Sequence, residues 1–204
     1  EDGIRDIGVT GVQTCALPIC SFAIISNYQH LAFMVEVIQG FDAWLFRLGN
    51  VSMANSLFDS IMPIITSNSY VVPILLAYVV GVLWRGTVRD QVFILLVILS
   101  IVIADQGVTF WKQIFMRPRP CQTFTDIRVL VPCGTGKSFP SGHAANNFAG
   151  AVLAALCFKR WGKVLLVWAI AVSYSRVYCG VHYPLDVLGG ALWGALVAYL
   201  VFTI

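Results

Sequence analysis

The chain has 204 residues, of which 58% are hydrophobic and 11% charged, and its mean hydropathy is +0.81. A soluble domain carries about 25% charged residues, so a water-soluble helical bundle is excluded and the long apolar stretches read as membrane spans. The formal net charge of +3 is small and dispersed between apolar segments, which excludes a nucleic-acid partner and leaves the bilayer as the implied environment.

Residues 1–20 show neither a helical apolar period nor the charged-then-apolar order of a signal peptide. The run 9–19 resembles the translation of a sequencing-adapter oligonucleotide. Residues 1–33 are therefore expected to be a non-native or disordered segment, with the membrane domain, 34–204, opening at Met34. Cys15, Cys20 and His30 fall in that segment and carry no functional weight. Residues 41–48 mix apolar side chains with Asp42 and Arg47, which suits an amphipathic helix at the membrane interface, broken by Gly49-Asn50. A short piece, 55–66, carries Asp59 and Pro63 and leads into the bilayer. Spans are predicted at 71–84, 91–111, 141–158, 164–179 and 184–204. A tight charged turn (85–90), a long polar loop (116–139) and a basic turn (159–163) separate them. Pro184 suits the first turn of a helix, and Gly189, Gly190 and Gly194 would let helices approach closely. The fold class is an all-α integral membrane protein: a bundle of five transmembrane helices, or six if the N-terminal region supplies another, with an N-terminal amphipathic helix.

An up-and-down path through these spans brings three polar patches to one membrane face. Lys112 ends the second span, Ser141 opens the third, Arg176 ends the fourth and His182 precedes the fifth. Two of the chain's three histidines lie in the patches. The short turns on the opposite side carry Arg85, Arg89, Lys159, Arg160 and Lys163. If the cations beside the patches serve an anion, the positive-inside rule makes those turns cytoplasmic and the patches extracytoplasmic. Cys121 and Cys133, in the long loop, would then meet an oxidising compartment, where a disulfide closing the loop and two free thiols both stay open.

The patches have the chemistry for phosphoryl transfer. A transferring phosphoryl group spreads negative charge over its oxygens, so catalysis is mostly positioning and electrostatic stabilisation. Arg119 and Arg176 offer planar forks and Lys112 a compact charge. Headgroup anchoring explains any one of these cations, but not their clustering with the histidines. Ser141 and Gly142 open a helix whose free N–H groups favour an anion, with Gly142 allowing close approach. His143 would then stand beside the bound group as a general acid. His182 and Asp186, four apart, form a pair in which the carboxylate orients the imidazole for attack on phosphorus. Asp105, an acid inside the second span, lies about two turns before Lys112 and is expected to support a site cation from the second tier, with Asn146 and Asn147 as further candidates. No metal-ligand spacing or nucleotide loop is present, and neither metal nor cofactor is expected.

Lys112…Arg119-Pro120, Pro140-Ser141-Gly142-His143 and Ser175-Arg176…His182…Asp186 together resemble the tripartite signature of the type-2 phosphatidic acid phosphatase family, within the lipid phosphate phosphatase and vanadium haloperoxidase superfamily. The resemblance covers about residues 41–204. It implies a metal-independent membrane phosphatase acting on a lipid phosphate or diphosphate of the undecaprenyl diphosphate, phosphatidylglycerophosphate or phosphatidate type. By the same resemblance His182 is the nucleophile, Asp186 its orienter and His143 the general acid, while Lys112, Arg119, Ser141, Gly142 and Arg176 bind phosphate. It also implies a bacterial protein, so the positive-inside reading above places it in an inner membrane with the site facing the periplasm or exterior. Lipid-to-lipid phosphotransfer and non-catalytic lipid-phosphate binding or transport are the competing functions. A complete His182, His143 and Asp186 set exceeds what pure binding requires.

Overall fold

The computed structural model describes residues 18–204, so most of the adapter-like run lies outside the described residues. The chain divides into two units, Glu1–Gly40 and Phe41–Ile204. In the first, the chain is helical from Pro18, and the side chains described from 29 to 40 are exposed. The second holds every patch residue.

The helices run α1 (Pro18–Arg47), α2 (Ser56–Thr66), α3 (Asn68–Arg85), α4 (Val88–Phe115), α5 (Pro120–Thr123), α6 (Gly142–Cys157), α7 (Lys159–Tyr178) and α8 (Pro184–Phe202), with a π-helical turn at Leu48–Ser52 and no strand among the described residues. Three expectations change in detail. Residues 41–48 are not a separate interfacial helix: 41–47 end α1 and Leu48 opens the π turn. Gly49-Asn50 does not break the chain but sits in the π turn, where Asn50 is fully buried. The basic stretch 159–163 is the first turn of α7, so only Phe158 separates α6 from α7.

Among the described residues, α4 and α8 are long and apolar enough to cross a bilayer on length and composition alone. Large apolar side chains stand exposed along the outward faces of α3, α4, α7 and α8, including Leu76, Leu95, Val167 and Leu192. A belt of this extent on a helical protein faces lipid rather than water. The protein is an integral membrane protein.

The centre of the bundle is α6, which packs most extensively on α8 and α7 and then on α4. Small side chains make this possible. Ala144, Ala145 and Ala149 are fully buried, and a Cβ on Gly190 or Gly194 would run into the backbone carbonyls of Ser141 and Ala145. Close backbone approach replaces the missing hydrophobic drive between helices in lipid. Ala104, Val108, Val197 and Val201 complete this core, and the Trp193 indole donates to the Ala104 carbonyl at 3.0 Å.

The ends of these helices are fixed individually. A Thr87–Asp90 capping box starts α4. Met116, in the left-handed region at φ 50°, ends it and turns the chain into the long loop. That loop is pinned at several points. Cys121 and Cys133 form a disulfide, Asn50 donates to the carbonyls of Arg128 (2.8 Å) and Tyr178 (2.7 Å), and Arg128 pairs with Asp59. Gly180, at φ +83°, passes so close to the Arg128 carbonyl that no Cβ would fit.

Candidate active site

The site forms where the C-terminal ends of α4 and α7 meet the N-terminal ends of α6 and α8. A cavity of about 350 Å³ opens there, and Lys112, Arg119, Gly142, His143, Arg176 and His182 all line it. The residues predicted to bind and transform phosphate are thus gathered in one space, although they span 71 positions of sequence. Asp186 and Ser141 are the exceptions. Both are fully buried and stand behind the lining.

His182 is 2% exposed and sits in the turn between α7 and α8. Its Nε2 lies 3.2 Å from Arg119 Nη1. A guanidinium can only donate, so Nε2 is the acceptor and the proton of the neutral ring sits on Nδ1. Burial pulls the imidazole pKa down to about 4, against the opposing pull of Asp186. His182 is therefore neutral near pH 7, with its lone pair aimed at the cavity side occupied by Arg119.

The Asp186 carboxylate is 3.5 Å from His182 Nδ1, longer than its other contacts. It also accepts from Tyr183 N at 2.8 Å, from Ser138 Oγ and from Arg117 Nη1 at 2.8 Å. Arg117 in turn reaches the fully buried Asp42 at 2.6 Å, and its guanidinium stacks 4.0 Å over the Tyr183 ring. Asp42 accepts from Leu185 N at 2.9 Å. The Asp186 carboxylate is thus held by Ser138 and Arg117, and Arg117 in turn by Asp42, none of which the sequence assigned to the site. Arg117 lies two positions before Arg119 and Ser138 three before Ser141, so both are near predicted residues in the chain. Asp42 left no signal, because its partner is 75 residues distant and acids near an interface are commonplace.

The cations differ in their tethering. Arg119 Nε donates to the Gly136 carbonyl at 2.9 Å and Nη1 to Val181 O at 3.3 Å, and burial lowers its pKa without discharging a guanidinium. Arg176 donates to Thr66 Oγ1 at 2.7 Å, a partner from α2 that sequence reasoning missed, while its Nε is buried without a partner. Lys112 lines the cavity from the last turn of α4.

Ser141 sits at the N-cap of α6 but its side chain makes no capping bond, and its Oγ is buried without a partner. A Cβ on Gly142 would meet only Val108 Cγ1 at 3.6 Å. The protein alone therefore does not demand glycine there, whereas an anion close to the backbone would. Asp105 lines the same cavity, but its side-chain partner is Asn146 at 3.2 Å rather than a site cation. Seven residues of helix separate it from Lys112 by roughly 10 Å, so a shared face does not become a contact. Asn147 donates to the His143 carbonyl at 2.9 Å.

An all-helical membrane bundle with a polar cavity at one end, walled by three cations and two imidazoles, defines a class of membrane proteins that handle anionic headgroups. Residues 92–204 match the model of the PAP2 superfamily, and the chain belongs to that family. It is 39% identical over 104 residues to an undecaprenyl-diphosphatase of Sulfolobus acidocaldarius, covering 50% of each chain, so it spans about half that relative's length. It is 32% identical over 164 residues to the putative undecaprenyl-diphosphatase YbjG of Escherichia coli, covering 78% of this chain and 80% of that one. Its fold matches the crystal structure of a transmembrane PAP2 type phosphatidylglycerolphosphate phosphatase from Bacillus subtilis with a TM-score of 0.65 at 26% identity, over 88% of this chain and 92% of the other.

Proposed function

We propose that this protein hydrolyses a lipid phosphate or diphosphate through a phosphohistidine on His182. The observation that carries this reading is the gathering of Lys112, Arg119, Arg176, His143 and His182 around one cavity. The names of the undecaprenyl-diphosphatase relatives and of the phosphatidylglycerolphosphate phosphatase support it.

In this mechanism Arg119, Arg176 and Lys112 take the phosphoryl oxygens, together with the free N–H groups at the start of α6. Arg119 moves from His182 Nε2 onto the phosphate, which frees the lone pair. Nε2 then forms a bond to phosphorus as the bond to the leaving oxygen breaks, and His143 supplies the proton to that oxygen. Asp186 stabilises the positive charge that develops on the imidazole. Water next attacks phosphorus, gives its proton to His143 and releases His182 and phosphate. The five helices α3, α4, α6, α7 and α8 cross the bilayer in this reading. The turns bearing Arg85, Arg89, Lys159, Arg160 and Lys163 are cytoplasmic, and the cavity faces the outside of a bacterial inner membrane.

The test is phosphate release by purified protein from a panel of lipid phosphates in EDTA, with His182→Ala and His143→Ala alongside. Release that persists in EDTA, is blocked by vanadate as a phosphate mimic, and disappears in His182→Ala is expected. Full activity in His182→Ala would overturn the nucleophile assignment. Protein quenched rapidly in alkaline denaturant, which spares the acid-labile P–N bond, should carry a phosphoryl group on a His182-containing peptide, and its absence there would remove the covalent step.

A further inference from the structure

The arginines at this end of the bundle are held in two different ways. Arg117, behind the candidate nucleophile, ion-pairs with Asp42 and Asp186, so its charge is neutralised within the protein. Arg119 and Arg176 line the cavity and pair with no carboxylate among the described residues. Their tethers are uncharged acceptors. For Arg119 these are the Gly136 and Val181 carbonyls and the neutral His182 ring. For Arg176 it is the Thr66 hydroxyl, 2.7 Å from Nη1. An uncharged acceptor fixes the direction of a guanidinium without cancelling its charge, and the field is left for an anion in the cavity.

Arg119 has several anchors, whereas Arg176 depends on Thr66. Both side chains are buried, Thr66 at 5% and Arg176 at 9% exposure. Arg176 Nε has no partner, so no second bond through that nitrogen fixes the plane of the fork. A long side chain with one anchor takes its direction from that anchor.

The anchor itself is rigidly placed. Thr66 is the last residue of α2, an element that contributes nothing else to the cavity lining. The start of α2 is tied to the end of α7: Asn55 N donates to the Tyr178 hydroxyl at 3.1 Å, and that hydroxyl donates to Asp59 at 2.7 Å. Further along, Phe58 meets the Tyr174 and Tyr178 rings edge-on, and Met62 packs against Tyr178 and Cys179. These contacts grip the same last turn of α7 that carries Arg176. The Thr66 hydroxyl therefore stands at a fixed offset from the Arg176 backbone.

We propose that Thr66 is a positioning residue for the reaction: its hydroxyl holds the Arg176 guanidinium at the cavity wall with its charge free to act on a phosphoryl group. The inference rests on the lipid-phosphatase reading and adds to its machinery a residue of α2 that never meets the substrate. A carboxylate at this place would hold the arginine more tightly and leave less of its charge for the substrate.

Thr66→Val keeps the shape of the side chain and removes the acceptor, while Thr66→Ser keeps the acceptor. Three quantities are measured on full-length protein in mixed micelles: kcat/KM for phosphate release from a panel of lipid phosphates, equilibrium affinity for orthovanadate, and melting temperature. Thr66→Val should lower kcat/KM by about 10- to 100-fold, since misplacement by about 1 Å is enough for about 100-fold, and should weaken vanadate binding in parallel. Thr66→Ser should return both to near the unaltered values. In Arg176→Ala the group that Thr66 aims is gone, so adding Thr66→Val should change vanadate affinity no further. Thr66→Ala removes the same oxygen and should show the same pattern should Thr66→Val fail to fold. A lower melting temperature with unaltered kcat/KM and vanadate affinity would make Thr66 merely structural and overturn the proposal. So would a full additional loss in the Arg176→Ala background, or no recovery in Thr66→Ser. Absence of phosphate release from every lipid would overturn the phosphatase reading alone, because the vanadate affinities of the same variants still decide the role of Thr66. Absence of vanadate binding to the unaltered protein would overturn both.

Discussion

Arg117 offers a sharp test of how the candidate nucleophile is aimed. It bridges two fully buried carboxylates, Asp186 at 2.8 Å and Asp42 at 2.6 Å, while its own side chain is 19% exposed. Arg117→Leu leaves both acids uncompensated. Removing one partner of a buried ion pair costs about 3–5 kcal/mol. The partly solvated guanidinium position admits water, so the lower end, about 3 kcal/mol, is expected. Adding Asp42→Asn to Arg117→Leu removes one stranded charge and should return at least about 1 kcal/mol, well beyond the ~0.5 kcal/mol within which independent sites add. Activity should not return with it. Asp186 would still lack the contact that holds its carboxylate against His182, and misplacement by about 1 Å is enough for a roughly 100-fold loss. Denaturant unfolding in mixed micelles, paired with phosphate-release assays on the two single variants and the double variant, reads both quantities. Arg117→Lys should recover little, because an ammonium cannot present a planar fork to two acids. Additive unfolding energies, or an Arg117→Leu protein with unaltered kcat, would refute the positioning role.

Four further outcomes are expected. The folded-state pKa of His182 is depressed to about 4, below the ordinary value near 6.5, so the unfolded chain binds a proton that the native state refuses. Stability should therefore fall as pH drops from about 6.5 to about 4, then level off, and thermal melts of the protein against His182→Gln should show that component vanish. Asp59 is held ionised by the hydrogen bond from Arg128, then by that from Tyr178, which lower its pKa, so its contact with the loop should survive mild acid and be lost in Asp59→Asn, seen as faster proteolysis of residues 124–131. The Cys121–Cys133 disulfide closes a 12-residue separation around the loop bearing Arg119. Reduction or Cys121→Ser should release roughly 3 kcal/mol of loop restraint and raise KM for the phosphorylated lipid, and an unchanged KM would show that Arg119 is fixed by its hydrogen bonds alone. Gly194→Ala places a methyl group into the Ala145 backbone, and overpacking of this kind costs about 1–3 kcal/mol, measurable as a lower melting temperature in detergent.

The helices of the bundle and their ends were largely legible in the sequence because apolar runs in a bilayer are long and their breaks are polar. Spans predicted at 71–84, 91–111, 141–158, 164–179 and 184–204 coincide with α3, α4, α6, α7 and α8 to within a few residues. The misses have local causes. The stretch 159–163 reads as a turn because its basic side chains mask a helical start, and Gly49-Asn50 reads as a break although Asn50 earns its buried place by bonding to the Arg128 and Tyr178 carbonyls. Such long-range bonds have no periodicity to detect.

For the site, the pattern of residue types pointed by itself to an anion. Lysine, two arginines and two histidines at span ends on one face imply an anion site whatever the packing, because charges at those ends in a membrane protein need a shared polar space. Only the tertiary structure decided which groups touch. It set Arg119 on His182 Nε2 and so fixed the tautomer. It placed Asp105 against Asn146 instead of Lys112, since a common helix face spans more distance than a side chain covers. It brought Asp42 and Thr66 to Arg117 and Arg176 from the far N-terminal part of the chain. Chain-order patterns report the environment that a residue type needs, but a contact depends on distances between segments far apart in sequence, and those exist only once the helices have packed.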